Sequence, residues 1–160
     1  MKAFTLVELL IVTLLLGMIT AGVVTVLNVG NAAYYADLGM LGLQQQVRQC
    51  LNWLEREVRA SSSLAITTED ANSDRVVFTT PNKFAVQYYR DRIDSNGDGI
   101  TNQVIREYPF GTRRVIANDI SRLKFSQSGG ILQIQIQGDT MALGKAESFT
   151  LTEKVRLRNE

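Results

Sequence analysis

Residues Phe4–Leu27 read FTLVELLIVTLLLGMITAGVVTVL, and after Glu8 the 19 residues Leu9–Leu27 carry no charged side chain. As an α-helix rising 1.5 Å per residue, this run is about 29 Å long, close to the ~30 Å hydrocarbon core of a bilayer. A helix apolar on every face for that distance reads as a membrane span. Glu8 is the odd feature. A carboxylate at the centre of a span costs roughly 2.5–3.5 kcal/mol, and an ionisable group inside one is a functional hypothesis by default. Near the helix start the cost is smaller, because the partial positive charge of the N-terminus offsets part of it. Glu8 is therefore tolerable there, yet it calls for a partner.

Outward from this stretch the pattern changes twice. Between Tyr34 and Ser61 apolar residues recur at Leu43, Val47, Leu51, Leu54 and Val58, with Met40 extending the stripe backwards. Those spacings of three and four are one face of a helix. Gln45, Arg48, Asn52, Glu55, Arg56 and Arg59 fall on the opposite face, with Glu55 and Arg59 four apart for an ion pair. No proline interrupts the chain before Pro81. One long helix is expected, its first half in lipid and its second half laid on a globular body, ending at Ser61-Ser62-Ser63. Any kink would fall at Gly22 or Gly30-Asn31. Trp53 and Cys50, near the edge of the stripe, read as packing residues.

Beyond Ser63 the periodicity becomes two. Val76–Thr80, Phe84–Arg90, Gln103–Phe110, Ser121–Phe125 and Ile131–Gln137 read as strands, the last two flanking the hairpin turn Gln127-Ser128-Gly129-Gly130. A final strand sets Phe149, Leu151, Val155 and Leu157 inward, with Glu153 interrupting that face. Apolar residues on one side only mean a sheet with one buried face, and the amphipathic helix supplies the cover. The fold class is α+β: a long N-terminal helix packed on an antiparallel β-sheet.

Composition excludes more than it assigns. One hundred and sixty residues suit one domain plus an anchor. A net charge of +1 points to neither nucleic acid nor an acidic substrate. A single cysteine rules out an intrachain disulfide, and the absence of histidine removes the commonest general base and metal ligand. No catalytic constellation is visible, so a membrane-tethered enzyme finds no support and no small-molecule substrate is expected. A cleavable secretory signal would need a shorter apolar region and a small-residue cut site, which Thr20-Ala21-Gly22 could imitate, and a plain uncleaved anchor would have Glu8 merely snorkel to the surface.

The start of the chain, Met1-Lys2-Ala3 followed by Phe4, Thr-Leu-Val-Glu8 and the apolar run, resembles the N-terminus of type IV pilins and pseudopilins. The resemblance covers about the first thirty residues. It implies that residues 1–3 are a leader, that a prepilin peptidase cuts between Ala3 and Phe4, and that the new N-terminus at Phe4 is methylated. Ala3 stands where that family usually has glycine. The family's glutamate, here Glu8, contacts the free amine of a neighbouring subunit as a filament assembles. An ammonium and a carboxylate meeting inside a membrane relieve each other's desolvation only when the subunits are in register.

Residues 4–30 would then be the transmembrane and assembly helix, and 31–160 the globular domain, with an amphipathic helix over 34–61 and a sheet over 75–160. The expected partners are other pilin or pseudopilin subunits, the prepilin peptidase and the bacterial inner membrane. The chain would cross that membrane once, N-terminus cytoplasmic and body periplasmic. Leu54–Arg59 and the closing Val155–Asn159 resemble J-type minor pseudopilins of type II secretion and W-type minor pilins. The function implied is a structural subunit that initiates or caps a filament, the alternative being a filament-tip module that contacts DNA, a surface or a secreted substrate.

Two local features stand apart. Asp94, Asn96 and Asp98, followed by Gly99 and Ile100, match the first half of a calcium loop, with Ile105 where a bidentate glutamate is expected. The same residues suit an ordinary polar turn. Arg106, Arg113, Arg114, Arg122 and Lys124, with Tyr108 and Phe110 among them, would suit single-stranded DNA if they shared one face. Strand alternation favours charges that simply face water, so nucleic acid is not the expected partner.

Overall fold

A computed structural model describes residues 5–80, 82, 84–94, 97, 99–142 and 144–157, so Ala3, Phe4, Asn96 and Asp98 lie outside the described residues. The architecture is α+β. Helix α1 runs unbroken from Leu6 to Ala60, 55 residues, through Gly17, Gly22 and Gly30. Within its apolar half the hydroxyls of Thr13, Thr20 and Thr25 donate to the carbonyls of Leu10, Leu16 and Ala21, so these three donors are satisfied within the helix. The helix stops at Ser61, whose backbone N–H and hydroxyl both bond to the carbonyl of Val58. The serine run ends the helix as expected.

The helix has two halves with different surroundings. Large apolar side chains from Leu6 to Leu41 are exposed, with Met40 half-buried, and no part of the window long and apolar enough to cross a membrane is buried. From Leu43 onward one face is buried: Leu43, Val47, Cys50, Leu51, Leu54 and Val58, the stripe legible in the sequence.

That stripe covers two antiparallel sheets rather than one. Strands β1 (Ser63–Thr68), β2 (Asp74–Thr79), β3 (Ala85–Asp91), β4 (Gln103–Tyr108) and β5 (Thr112–Ala117) form a five-stranded meander in chain order. Strands β6 (Ile120–Ser128), β7 (Ile131–Ala142) and β8 (Lys145–Arg156) form the second sheet. β1 and β5 add to the strands expected from sequence. β1 is short and uncharged, and β5 opens on Arg113-Arg114, which hides its alternation. The strand read as running to Phe110 ends at Tyr108, because Pro109 opens a 3-10 turn over Pro109–Gly111.

The sheets join where β6 passes the start of β2. The Leu123 N–H donates to the carbonyl of Asn72, and the buried Asp74 carboxylate accepts from the Phe125 N–H and from Lys124 Nζ at 2.9 and 2.8 Å. A carboxylate thus completes a ladder that the backbone breaks. Between helix and sheets lie Val76, Phe78, Val86, Tyr88, Val104, Ile120, Leu123, Phe125, Leu132, Ile134, Ile136 and Val155. The rings of Phe78 and Tyr88 stack at 5.7 Å.

Candidate functional site at the start of the helix

Thr5 is the N-cap of α1, and with Glu8 it closes a reciprocal capping box. The Glu8 N–H donates to Thr5 Oγ1 at 3.3 Å, while Glu8 Oε2 accepts from the Thr5 N–H and from the Thr5 hydroxyl, each at 3.1 Å. Two backbone donors that the helix leaves without intrahelical partners are satisfied this way. The carboxylate therefore has an intrachain occupation, a local one that leaves it exposed and open to a second donor. The signal for it was present in the sequence, since Thr-x-x-Glu before an apolar run is the capping-box pattern. Reading Glu8 only as a charge in search of another molecule missed Thr5.

The calcium-loop residues are only partly placed. Asp94 takes a positive φ of 53°; its Oδ2 accepts the Gly99 N–H at 2.9 Å and its carbonyl accepts the Gly97 N–H at 3.2 Å. Asp91, three residues earlier, is buried and accepts the Ile93 N–H. These two bonds close a turn on Asp94, and the side chains of Asn96 and Asp98 that would complete the calcium pattern lie outside the described residues. The Ile100 side chain is exposed. Among the described residues no three His, Cys, Asp or Glu side chains gather as a metal site would require.

The basic residues of the second local feature do not all share a face: Arg106 and Arg114 are cross-strand partners that both meet α1, while Arg113 and Lys124 lie elsewhere. Arg106 points into the helix–sheet layer, Arg113 pairs with Glu107, Arg114 lies 5.3 Å from the Trp53 ring, and Lys124 pairs with Asp74 in the other sheet. Trp53 is flanked on its other contact by Arg56 at 4.6 Å. Consecutive strand residues point to opposite faces, so Arg113 and Arg114 part at once.

Glu57, which the sequence did not single out, is the most heavily used acid of the helix. Its carboxylate accepts from Arg106 Nε at 3.0 and 3.1 Å, pairs with Arg106 Nη2 at 2.8 Å, and accepts the Tyr88 hydroxyl at 2.9 Å. Burial works against the Arg106 charge, but the Glu57 bonds outweigh it and hold the guanidinium pKa above its ordinary value. Burial first, then the Glu57 charge, pushes the Tyr88 phenol upward. Cys50 is fully buried, and burial alone pushes its thiol up to about 12, so it is an inert packing group.

Comparison with family profiles, with characterised proteins and with solved structures finds no match to this chain.

Proposed function

We propose that this protein is a filament subunit of the type IV pilin class, a minor pilin or pseudopilin. In this reading α1 is both membrane anchor and assembly face, and the globular domain is carried outside the membrane. One observation carries it: the apolar face of α1 stays uncovered past the span. Leu38 and Leu41 are exposed like the residues before them, although they lie beyond the uncharged stretch Leu9–Ala36, which as a helix already spans a bilayer with its headgroup layers. A plain anchor has no use for apolar surface beyond the bilayer, whereas helices packing side by side in a filament do. Gly17, Gly22 and Gly30 have open space around them, which admits close approach of a second helix.

Glu8 supplies the second support and the test. As a capping residue it requires only an acceptor, and glutamine serves that purpose. As the partner of a neighbour's amine it requires a negative charge. Filament incorporation is therefore expected to fail in both Glu8→Gln and Glu8→Ala, with both variants still extracted from membranes. A Glu8→Gln protein that assembles at the wild-type level overturns the charge-pairing role. Mass spectrometry of the protein from its native host, showing a methylated Phe4 as the first residue, is the companion expectation. A retained Met1 would overturn processing of this class.

A further inference from the structure

The β7–β8 hairpin is tied to α1 at two successive levels. A side chain at Gly138 would meet Leu43, its Cβ lying 2.5 Å from Leu43 Cδ1, and one at Gly39 would come within 3.6 Å of Thr140 Oγ1. As β7 advances from 138 to 140 its helix neighbour thus retreats from 43 to 39. Four helix residues and two strand residues each span about 6 Å, so strand and helix run antiparallel in step. Continued by one more step, Ala142 and its partner Lys145 stand level with helix residue 35. The hairpin tip points back along α1, toward the apolar half.

That level has a second mark. After Glu8 the next charged residue is Asp37, so Leu9–Ala36 is 28 residues without a charge. Such a helix is about 42 Å long, the thickness of a bilayer with its headgroup layers included, roughly 40–45 Å, rather than of its hydrocarbon alone. Tyr34 and Tyr35 sit at its outer end, both exposed, with ring centroids 5.9 Å apart. Tyrosines at that depth form the interfacial belt of a membrane helix. By that extrapolation the end of the hairpin reaches the same level, where Met141 (71% accessible) and Lys145 are exposed.

The geometry points to a second membrane contact: the tip of the β7–β8 hairpin, through Met141 and Lys145, rests in the headgroup layer of the leaflet from which α1 emerges. Its partner is the phospholipid surface of the bilayer that the same chain enters. Met141 offers a thioether to the acyl boundary and Lys145 an ammonium to the lipid phosphates. Glu147 and Asp139, farther from the tip, face water. Two contacts, helix and hairpin, would fix the rotation of the domain about α1 before any neighbour is met. This inference rests on α1 crossing a membrane, and the experiment separates the two.

The full chain carrying Cys50→Ser is reconstituted in phosphatidylcholine nanodiscs, with one fluorophore at a single introduced cysteine: Leu16→Cys in the span, Met141→Cys at the tip, or Ser128→Cys at the far end of the β6–β7 pair. Nitroxide lipids labelled in the headgroup or deep in the acyl chain serve as quenchers. The deep nitroxide is expected to quench the Leu16 label, and the headgroup nitroxide to quench the Met141 label severalfold more than the Ser128 label. Lys145→Glu is expected to reduce the Met141 quenching and leave that of Leu16 unchanged. A Leu16 label that is quenched beside a Met141 label no more quenched than Ser128 overturns the hairpin contact alone. A Leu16 label that escapes the deep nitroxide overturns the membrane span and the hairpin contact with it.

Discussion

At the scale of single residues, the specific bonds that join helix to sheet are made by polar groups the apolar pattern does not announce. Glu57 joins the helix to β3 and β4 through Tyr88 and Arg106, with its side chain 14% and that of Arg106 19% accessible. Removing one partner of such a pair strands the other charge in a poorly solvated place, which costs more than the pair itself contributes. Glu57→Ala is expected to lower unfolding stability by about 2–3 kcal/mol in denaturant titration, with Glu57→Gln losing less because it still accepts the Tyr88 hydroxyl.

A pH dependence arises from Cys50 and Tyr88, both acids whose pKa is higher folded than unfolded. Above the ordinary thiol value of 9.0 the unfolded chain releases a proton that the folded chain keeps, up to about 12, so protonation favours the native state. Stability from this source is complete below pH 9.0 and falls as pH rises between 9.0 and about 12. Tyr88 acts with the same sign from 10.0 upward. Urea midpoints measured across the alkaline range are expected to fall steadily, and less steeply in Cys50→Ala.

At the scale of elements, one close approach decides how the second sheet meets the helix. Gly138 of β7 lies so near α1 that a Cβ there would overlap Leu43 and stand 3.1 Å from the Asp119 carbonyl. The leucine can swing away, but the carbonyl belongs to the backbone. Gly138→Ala is therefore expected to cost about 1–3 kcal/mol, read as a lowered midpoint of thermal unfolding, while Gly42→Ala, with open space at its Cβ, is expected to be neutral or slightly stabilising. The stripe Leu43–Val58 was legible as a helix face because burial repeats at three and four. β7 was legible because Leu132, Ile134 and Ile136 alternate with three glutamines. β1 and β5 were not. They lie at the two edges of the meander, where one neighbour is missing and the apolar alternation is weak.

At the scale of the whole molecule the chain divides by burial without dividing its helix. Every core residue of α1 lies at Leu43 or later, so the first half contributes nothing to the buried core of the body. A chain beginning at Asn31 is expected to unfold in the same detergent within about 0.5 kcal/mol, or roughly 2 °C, of the full chain. A larger loss would mean that the apolar half supports the fold through contacts absent from the isolated chain.

The sequence by itself determined the long helix, its apolar first half, the register of its buried stripe and the antiparallel character of the strands beyond it. Each of these is periodic or compositional, and local backbone geometry translates a period directly into a face. The tertiary structure alone decided that the described strands make two sheets, that Asp74 bridges them, that Glu57 ties helix to sheet, and that Arg106 and Arg114 meet the helix together while Arg113 and Lys124 do not. Those outcomes depend on which residues distant in the chain come together. A polar side chain takes its role from the partner that burial forces on it, and that partner is not written in its neighbours.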